Sequence, residues 1–130
     1  MTHYLIGLGS NINPEENIRL AISHLGNFLT IRRQATVLRT EPVGYTAQPE
    51  FLNTAVLAES ELDPAELKVQ LQQIERDLGR QPSANKNGPR PIDLDILVVD
   101  DRIADEDVYT RPFLAAAVRE LLPELAALNL

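Results

Sequence analysis

Two aspartates interrupt the apolar stretch GPRPIDLDIL at residues 88–97. Alternate residues of a strand point to the same side and lie about 7 Å apart, so Asp93 and Asp95 share one face, and the apolar residues around them take the other. Converging carboxylates repel each other unless a cation lies between them. Mg²⁺ is commonly held by one or two carboxylates and substrate phosphates, and two ions about 3.5–4 Å apart can share such a pair. Alternatively, both aspartates lie on a solvent-exposed strand face and bind no metal.

Positive charge is concentrated just before these aspartates. Arg80, Lys86 and Arg90 lie in GRQPSANKNGPR, although the chain as a whole has a formal net charge of −7. Cations beside a metal-binding carboxylate pair suit a polyphosphate, because metal and cations can divide its oxygens between them. The alternative is a solvated turn. No Walker-type phosphate loop and no kinase Gly-rich loop is present in the sequence, so any nucleotide is held in another way.

A second candidate site lies around the segment QPEFLN at residues 48–53. Phe51 and Asn53 are two positions apart on a predicted strand, so an aromatic face and a primary amide point the same way. This pair suits a flat heteroaromatic ligand, since the ring stacks while the amide reads the edge. The alternative is a core phenylalanine beside an asparagine at a strand end.

Length and composition limit the class of protein. The 130 residues suit a single domain over residues 1–130. No apolar run approaches the ~20 residues of a membrane span, and the first residues do not resemble a secretory signal. With no cysteine in the chain, disulfides and thiolate metal sites are excluded, and we expect a cytoplasmic location. The acidic charge argues against nucleic-acid binding. We therefore expect neither nucleic acid nor a membrane as partner.

Hydrophobic periodicity and turn residues predict the element order βαββαβ. The predicted strands are Tyr4 to Leu8, about Gln34 to Thr40, about Phe51 to Glu59, and Pro91 to Val99. The predicted helices begin at the caps Asn13 and Asp63, each followed by proline, and end at Gly26 and Gly79. This order fits an α+β, ferredoxin-like antiparallel sheet with both helices on one face. A C-terminal helix from about Phe113 to Leu128 is expected to pack on it.

Six segments carry a resemblance to a known family: GSN at 9–11, TEPVG at 40–44, QPEFLN at 48–53, IE at 74–75, GR at 79–80 and GPRPIDLDI at 88–96. In these segments the chain resembles 6-hydroxymethyl-7,8-dihydropterin pyrophosphokinase. Members of that folate-pathway family transfer pyrophosphate from ATP to a pterin alcohol. The resemblance covers about the first three quarters of the chain, and it implies ATP and hydroxymethyl-dihydropterin as partners and a monomeric protein.

The resemblance also implies a role for each matching residue. Asp93 and Asp95 are expected to hold two Mg²⁺ ions with ATP, and the expected catalytic residues are these two aspartates with Arg80 and Arg90. The expected ATP-binding residues are Gln72, Glu75, Arg80, Lys86, Arg90, Ile96 and Arg111. The expected pterin-binding residues are Gly9, Ser10, Thr40, Pro42, Val43, Phe51, Asn53 and Phe113, with Asn11 in the floor of the site.

The chain departs from the family pattern on its nucleotide side. Asn87 stands where the family has Trp, Pro82 replaces a loop arginine, and Lys86 replaces another. The family also has a P-H segment followed by R-x-F, whereas no His follows His24 here. Matching Pro112 to the P-H proline puts Phe113 at the His position. Matching RPF at 111–113 to R-x-F also aligns PEL at 123–125, so we prefer that alignment, in which the His segment is deleted.

Two functional classes follow from these observations. The retained aspartates, arginines, Phe51 and Asn53 favour a working pyrophosphokinase with a reduced nucleotide side. The missing His, Trp and loop arginine favour a non-catalytic relative that binds pterin or nucleotide, or an interaction module on the same fold. The sequence predicts the first and leaves the second open.

Overall fold

The computed structural model describes residues 1–42, 47–80 and 89–130. Within these ranges six strands form one antiparallel sheet: β1 (Thr2–Ser10), β2 (Thr30–Gln34), β3 (Leu38–Thr40), β4 (Phe51–Ser60), β5 (Asp93–Val99) and β6 (Arg102–Ile103). The strand order is β2-β4-β1-β5-β6, and β3 also pairs with β4. The α+β antiparallel fold predicted from the sequence is confirmed. Val43, Pro82, Lys86 and Asn87 lie outside the described residues.

The helices are α1 (Pro14–Leu25), α2 (Pro64–Asp77), α3 (Pro112–Leu121) and α4 (Pro123–Asn129), with a 3₁₀ turn at Glu106–Tyr109. In the described part of the chain, no helix is both long enough and apolar enough to cross a membrane. Helix α2 begins as predicted, with a capping box in which Asp63 and Glu66 each accept the other's backbone N–H. Helix α1 also begins where predicted, but Asn13 adopts a left-handed conformation and its side chain makes no capping bond.

Helices α1 and α2 pack on one face of the sheet. Their buried residues, Ile18, Ala21, Leu25, Leu67, Leu71 and Ile74, join Tyr4, Ile6 and Leu8 of β1 in one apolar core. Ile92, Leu94 and Ile96 belong to the same core, so the apolar side of the GPRPIDLDIL segment faces these two helices. The predicted division of that segment into an apolar and an acidic face is therefore confirmed.

Helices α3 and α4 cover part of the opposite face. Val118 and Leu121 of α3 pack there with Leu5 of β1 and with Leu97. The single C-terminal helix predicted from Phe113 to Leu128 is wrong, since the chain breaks between α3 and α4. Pro123 has no backbone N–H and disfavours helical geometry in the residue before it, and Leu122 has φ −133° and ψ 61°.

The strand predicted at Gln34 to Thr40 is two strands, interrupted at residues 35–37. Both pair with β4, one after the other along its edge. The Thr36 backbone N–H donates to the Glu120 carboxylate of α3, at 2.9 Å from Oε1, instead of to β4. This bond interrupts the ladder and ties α3 to that edge of the sheet.

Candidate active site

The register of three neighbouring strands aligns the candidate residues in a row. Gly9 of β1 pairs with Asn53 of β4 on one side and with Asp93 of β5 on the other. Two positions earlier, Gly7 pairs with Asp95. Residues that are directly opposite in a sheet point to the same face, so an amide and two carboxylates stand on either side of a glycine floor. This face is the one that α3 partly covers.

The two floor glycines leave room for a cavity of about 410 Å³ between these strands and α3. A Cβ on Gly9 would lie 2.8 Å from Asn53 Oδ1, and a Cβ on Gly7 would lie 3.1 Å from Leu97 Cδ1. Both distances are shorter than ordinary van der Waals contacts. The cavity therefore depends on the absence of side chains at these positions.

One wall of the cavity is aromatic and amide-bearing. Phe51 lies at the start of β4, opposite Thr40 of β3. Asn53 Nδ2 donates to Thr40 Oγ1 at 2.6 Å, which fixes the orientation of the amide. Phe113, in the first turn of α3, lines the same cavity. Strand and helix thus each contribute an aromatic ring to the cavity.

The other wall is a network of carboxylates and arginines. Arg80 Nη1 donates to Asp93 Oδ1 at 2.8 Å and to Glu75 Oε2 at 2.6 Å. Arg90 Nη1 lies 3.3 Å from the second oxygen of Asp93. Glu75 Oε2 also accepts the Leu94 backbone N–H at 2.9 Å, which ties the end of α2 to the start of β5. The network holds both arginines beside the acidic row.

Burial and neighbouring charges change the ionisation of this wall. The pKa of Asp95 is raised from 3.8 to about 7, first by burial within the cavity walls and then by the negative charges of Asp93 and Asp105. Its carboxyl group still reaches solvent, because the walls surround it without sealing it. Burial would lower the pKa of Arg80, but the adjacent Asp93 and Glu75 raise it, so this guanidinium keeps its charge.

Most residues singled out in the sequence meet in this cavity. Those that line it are Gly9, Thr40, Phe51, Asn53, Arg80, Arg90, Asp93, Asp95, Arg111 and Phe113. Glu75 does not line the cavity but accepts a hydrogen bond from Arg80, which does. Gln72 is exposed on α2. Ile96 packs in the core on the other face of the sheet. Pro42 is buried, as is Ser10, whose hydroxyl donates to the Ile12 carbonyl.

Seven lining residues were not singled out in the sequence: Gly7, Leu8, Glu41, Leu97, Asp105, Asp107 and Leu114. Gly7 was accessible to sequence reasoning, since it shares a strand face with Gly9. Asp105 and Asp107 lie in an acidic run, ADED at 104–107, and such a run by itself predicts a solvent-exposed segment. Their position near β5 depends on the turn after β6, and Asp107 Oδ2 lies 3.7 Å from Arg111 Nε.

This fold and cavity define an α+β protein with a charged wall facing an aromatic one. The chain belongs to the 7,8-dihydro-6-hydroxymethylpterin-pyrophosphokinase (HPPK) family, whose sequence model matches residues 5–123. The resemblance noted in the sequence is thereby confirmed.

Curated relatives agree with that membership. The chain is 36% identical over 131 residues to the 2-amino-4-hydroxy-6-hydroxymethyldihydropteridine pyrophosphokinase of Bacillus subtilis, with 92% of this chain and 78% of that protein aligned. It is 32% identical to the protein of the same name from Haemophilus influenzae, with 95% and 84% aligned. It is also 37% identical to a folate synthesis bifunctional protein of Arabidopsis thaliana, with 91% of this chain aligned but only 26% of that relative. The chain therefore spans about a quarter of that bifunctional protein.

Proposed function

We propose that this protein transfers pyrophosphate from ATP to 6-hydroxymethyl-7,8-dihydropterin in folate biosynthesis and releases AMP. The observation that carries the proposal is the single cavity in which the arginine–carboxylate wall faces the wall of Phe51, Asn53 and Phe113. Each wall suits one of the two substrates. Family membership and the pyrophosphokinase relatives support the same reaction.

The charged wall suits the triphosphate of ATP. Arg80 and Arg90 are positively charged and already gathered around Asp93. A polyphosphate offers them further anionic oxygens, and arginine binds such groups with charge-assisted hydrogen bonds. Because Arg80 Nη1 also donates to Glu75 of α2, the guanidinium stays in place when it shares its donors with phosphate. Arg111 lies at the same cavity and is proposed as a third phosphate ligand.

The acidic row suits Mg²⁺. Asp93 and Asp95 supply the two hard oxygen donors that this ion commonly takes from a protein alongside substrate phosphates. Among the described cations none forms an ion pair with Asp95, and the pKa of this carboxyl is raised by burial and by repulsion from Asp93 and Asp105. A bound cation would relieve that repulsion. We propose these two aspartates as the metal ligands, and when bound, Mg²⁺ would neutralise charge on the transferred phosphates.

The aromatic wall suits the pterin. The flat ring system can pack against Phe51 and Phe113, and the Asn53 amide can bond its edge. Asn53 donates one N–H to Thr40, which leaves its carbonyl oxygen on the side of the Gly9 floor. This fixed amide favours a ligand whose donors lie in the ring plane.

The two walls together account for the transfer. In the proposed reaction the pterin hydroxyl oxygen bonds to the β-phosphorus of ATP and loses its proton to solvent. The bond between that phosphorus and the oxygen bridging to the α-phosphate breaks, so AMP leaves. The aromatic wall holds the alcohol while the arginines hold the phosphates. The two reacting groups are therefore already close and oriented, which lowers the entropic part of the activation barrier. The guanidinium groups stabilise negative charge on the phosphoryl oxygens as the bonds exchange.

An AMP-release assay with ATP, Mg²⁺ and hydroxymethyl-dihydropterin tests this function. AMP formation that requires both substrates supports the proposal. Binding of pterin or nucleotide without AMP release would instead make the chain a non-catalytic binding relative. An Arg90→Lys variant sharpens the assay, since lysine keeps the positive charge but loses the bidentate geometry. We expect its turnover to fall while pterin binding is retained.

A further inference from the structure

Asn11, the residue directly after β1, makes hydrogen bonds to two loops at once. Its side-chain carbonyl oxygen accepts the Arg90 backbone N–H at 2.9 Å, and its own backbone N–H donates to the Arg90 carbonyl at 3.2 Å. Its Nδ2 donates to Gln48 Oε1 at 2.8 Å and to the Pro49 carbonyl at 3.1 Å. Asn11 is only 5% exposed and does not line the cavity.

Each of these loops leads into one wall of the cavity. Arg90 precedes β5, and its guanidinium contacts Asp93 in the charged wall. Gln48 and Pro49 come just before Phe51, the first residue of β4 in the aromatic wall. The loops are about 40 residues apart in sequence, yet one buried amide group bonds to both. Asn11 therefore connects the segments that carry the arginine and the phenylalanine.

We infer that Asn11 is a positioning residue that sets the distance between the phosphate-binding and pterin-binding walls. The inference rests on the proposed function, because only a reaction between two bound substrates requires a fixed separation. β1 lies between β4 and β5 in the sheet, so its end is a fixed point from which both loops can be held. In this role Asn11 touches neither substrate and acts through Arg90 and Phe51.

Replacement by alanine removes all three side-chain bonds, and Ser60→Ala provides a matched control. Ser60 is also buried, and its hydroxyl also joins two segments, donating to the Phe28 carbonyl and accepting the Leu62 N–H. It pairs with Thr2, at the end of the sheet away from the cavity. Both variants lose buried side-chain-to-backbone bonds, but only Asn11→Ala loosens the two walls.

We expect Asn11→Ala to lower kcat by about 10²-fold, the scale of an ångström-sized misplacement. The separate dissociation constants for pterin and for a non-hydrolysable ATP analogue should change little, since each wall keeps its own residues. Ser60→Ala should keep wild-type kcat at a temperature where both variants are folded. Equal kcat losses in the two variants, or a loss that lies wholly in the dissociation constants, would overturn the inference.

Asn11→Asp provides a conservative rescue. A carboxylate keeps the acceptor for the Arg90 N–H but cannot donate to the Pro49 carbonyl, so one loop stays anchored and the other is weakened. Its kcat should lie between those of wild type and Asn11→Ala. A kcat for Asn11→Asp at or below that of the alanine variant contradicts a role in anchoring the Arg90 loop.

Amide hydrogen exchange separates failure of the inference from failure of the proposed function. The Arg90 amide should lose protection in Asn11→Ala, while the Leu94 amide, which donates to Glu75, should keep it. This readout does not need turnover. If wild type releases no AMP, the proposed function fails. The exchange experiment still tests whether Asn11 holds the Arg90 loop in place. Unchanged protection at Arg90 overturns the inference whatever the activity.

Discussion

Asp95 is the cavity residue whose carboxyl pKa is raised furthest above its usual value. Its pKa is raised to about 7 from 3.8, so between these pH values the folded state binds a proton that the unfolded state has released. The stability of the metal-free protein should therefore fall as pH rises through this window. Asp95→Asn removes the titrating group and its repulsion with Asp93 and Asp105.

We expect Asp95→Asn, with chelator present, to melt at a higher temperature than wild type at about pH 8 and to lose most of this advantage near pH 4. Turnover should be abolished, because a proposed metal ligand is gone. Thermal unfolding across pH and the AMP assay measure the two effects. Asp101→Asn, at an exposed position after β5, is the control. A melting difference that does not vary with pH, or wild-type turnover, contradicts the interpretation.

A substitution at Phe51 tests the role of the aromatic wall in pterin binding. Phe51→Ala should weaken pterin binding by about one to two decades, because stacking on an aromatic face is worth roughly 1–3 kcal/mol for comparable rings. Binding of an ATP analogue should change little, and titration calorimetry with each ligand measures both. Tyr109→Ala removes an exposed ring that does not line the cavity and should affect neither. Equal losses for both ligands would assign Phe51 to the core instead.

At the scale of elements, β1 acts as the floor between two walls, and its two glycines differ in what a methyl group would meet. At Gly9 the obstacle is Asn53 Oδ1 at 2.8 Å, and this amide is already held by Thr40. At Gly7 it is the Leu97 side chain at 3.1 Å, which makes no hydrogen bond that a small shift would break. The same substitution should therefore have unequal effects.

Gly9→Ala should weaken pterin binding by about tenfold or more, because displacing Asn53 breaks its bond to Thr40 and misaligns the amide. Gly7→Ala should cost less pterin affinity and serves as the matched control. Pterin titrations of both variants, with thermal unfolding to confirm folding, test the expectation. A larger loss at Gly7 would show that the Asn53 orientation is not what limits binding.

Helix starts were the elements that sequence reasoning located best. The Asp63 capping box and the proline after each cap are local signals, so α1 and α2 begin where predicted. The break between α3 and α4 was missed although Pro123 is in the sequence, because the alanine–leucine pattern continues across it. The interruption at Thr36 had no local signal, since its bonding partner Glu120 is 84 residues away.

At the scale of the whole molecule, the negative net charge of the chain disfavours binding of the anionic nucleotide. The chain has a formal net charge of −7, and its cavity includes Asp105 and Asp107 beside the arginines. By the resemblance, the chain also lacks the family's His segment and has Pro82 in place of a loop arginine, while Lys86 keeps a positive charge at another arginine position. Charge-assisted bonds are typically worth about 1.5–3 kcal/mol, so losing two of them removes about two to four decades of affinity or rate.

We therefore expect weak binding of ATP with marked salt sensitivity, while pterin binding is little affected by salt. Calorimetric titration with a non-hydrolysable ATP analogue and Mg²⁺, at low and high salt, measures this, and the pterin titration is the internal control. An Asp107→Asn variant should bind the analogue more tightly at low salt, since one opposing charge is removed. Tight, salt-insensitive nucleotide binding would show that the substitutions have little cost.

The sequence by itself determined the succession of β1, α1, β4, α2 and β5, the shared face of Asp93 and Asp95, and the motifs that identify the family. These follow from short-range rules: strand side chains alternate, capping residues precede helices, and motif residues lie close together in the chain. Only the tertiary structure decided that Asp105 and Asp107 line the cavity and that α3 covers part of it. It also decided that Asn11 bonds to Arg90 across 79 residues. Such contacts depend on how the sheet and loops bring distant segments together, and no local pattern specifies that.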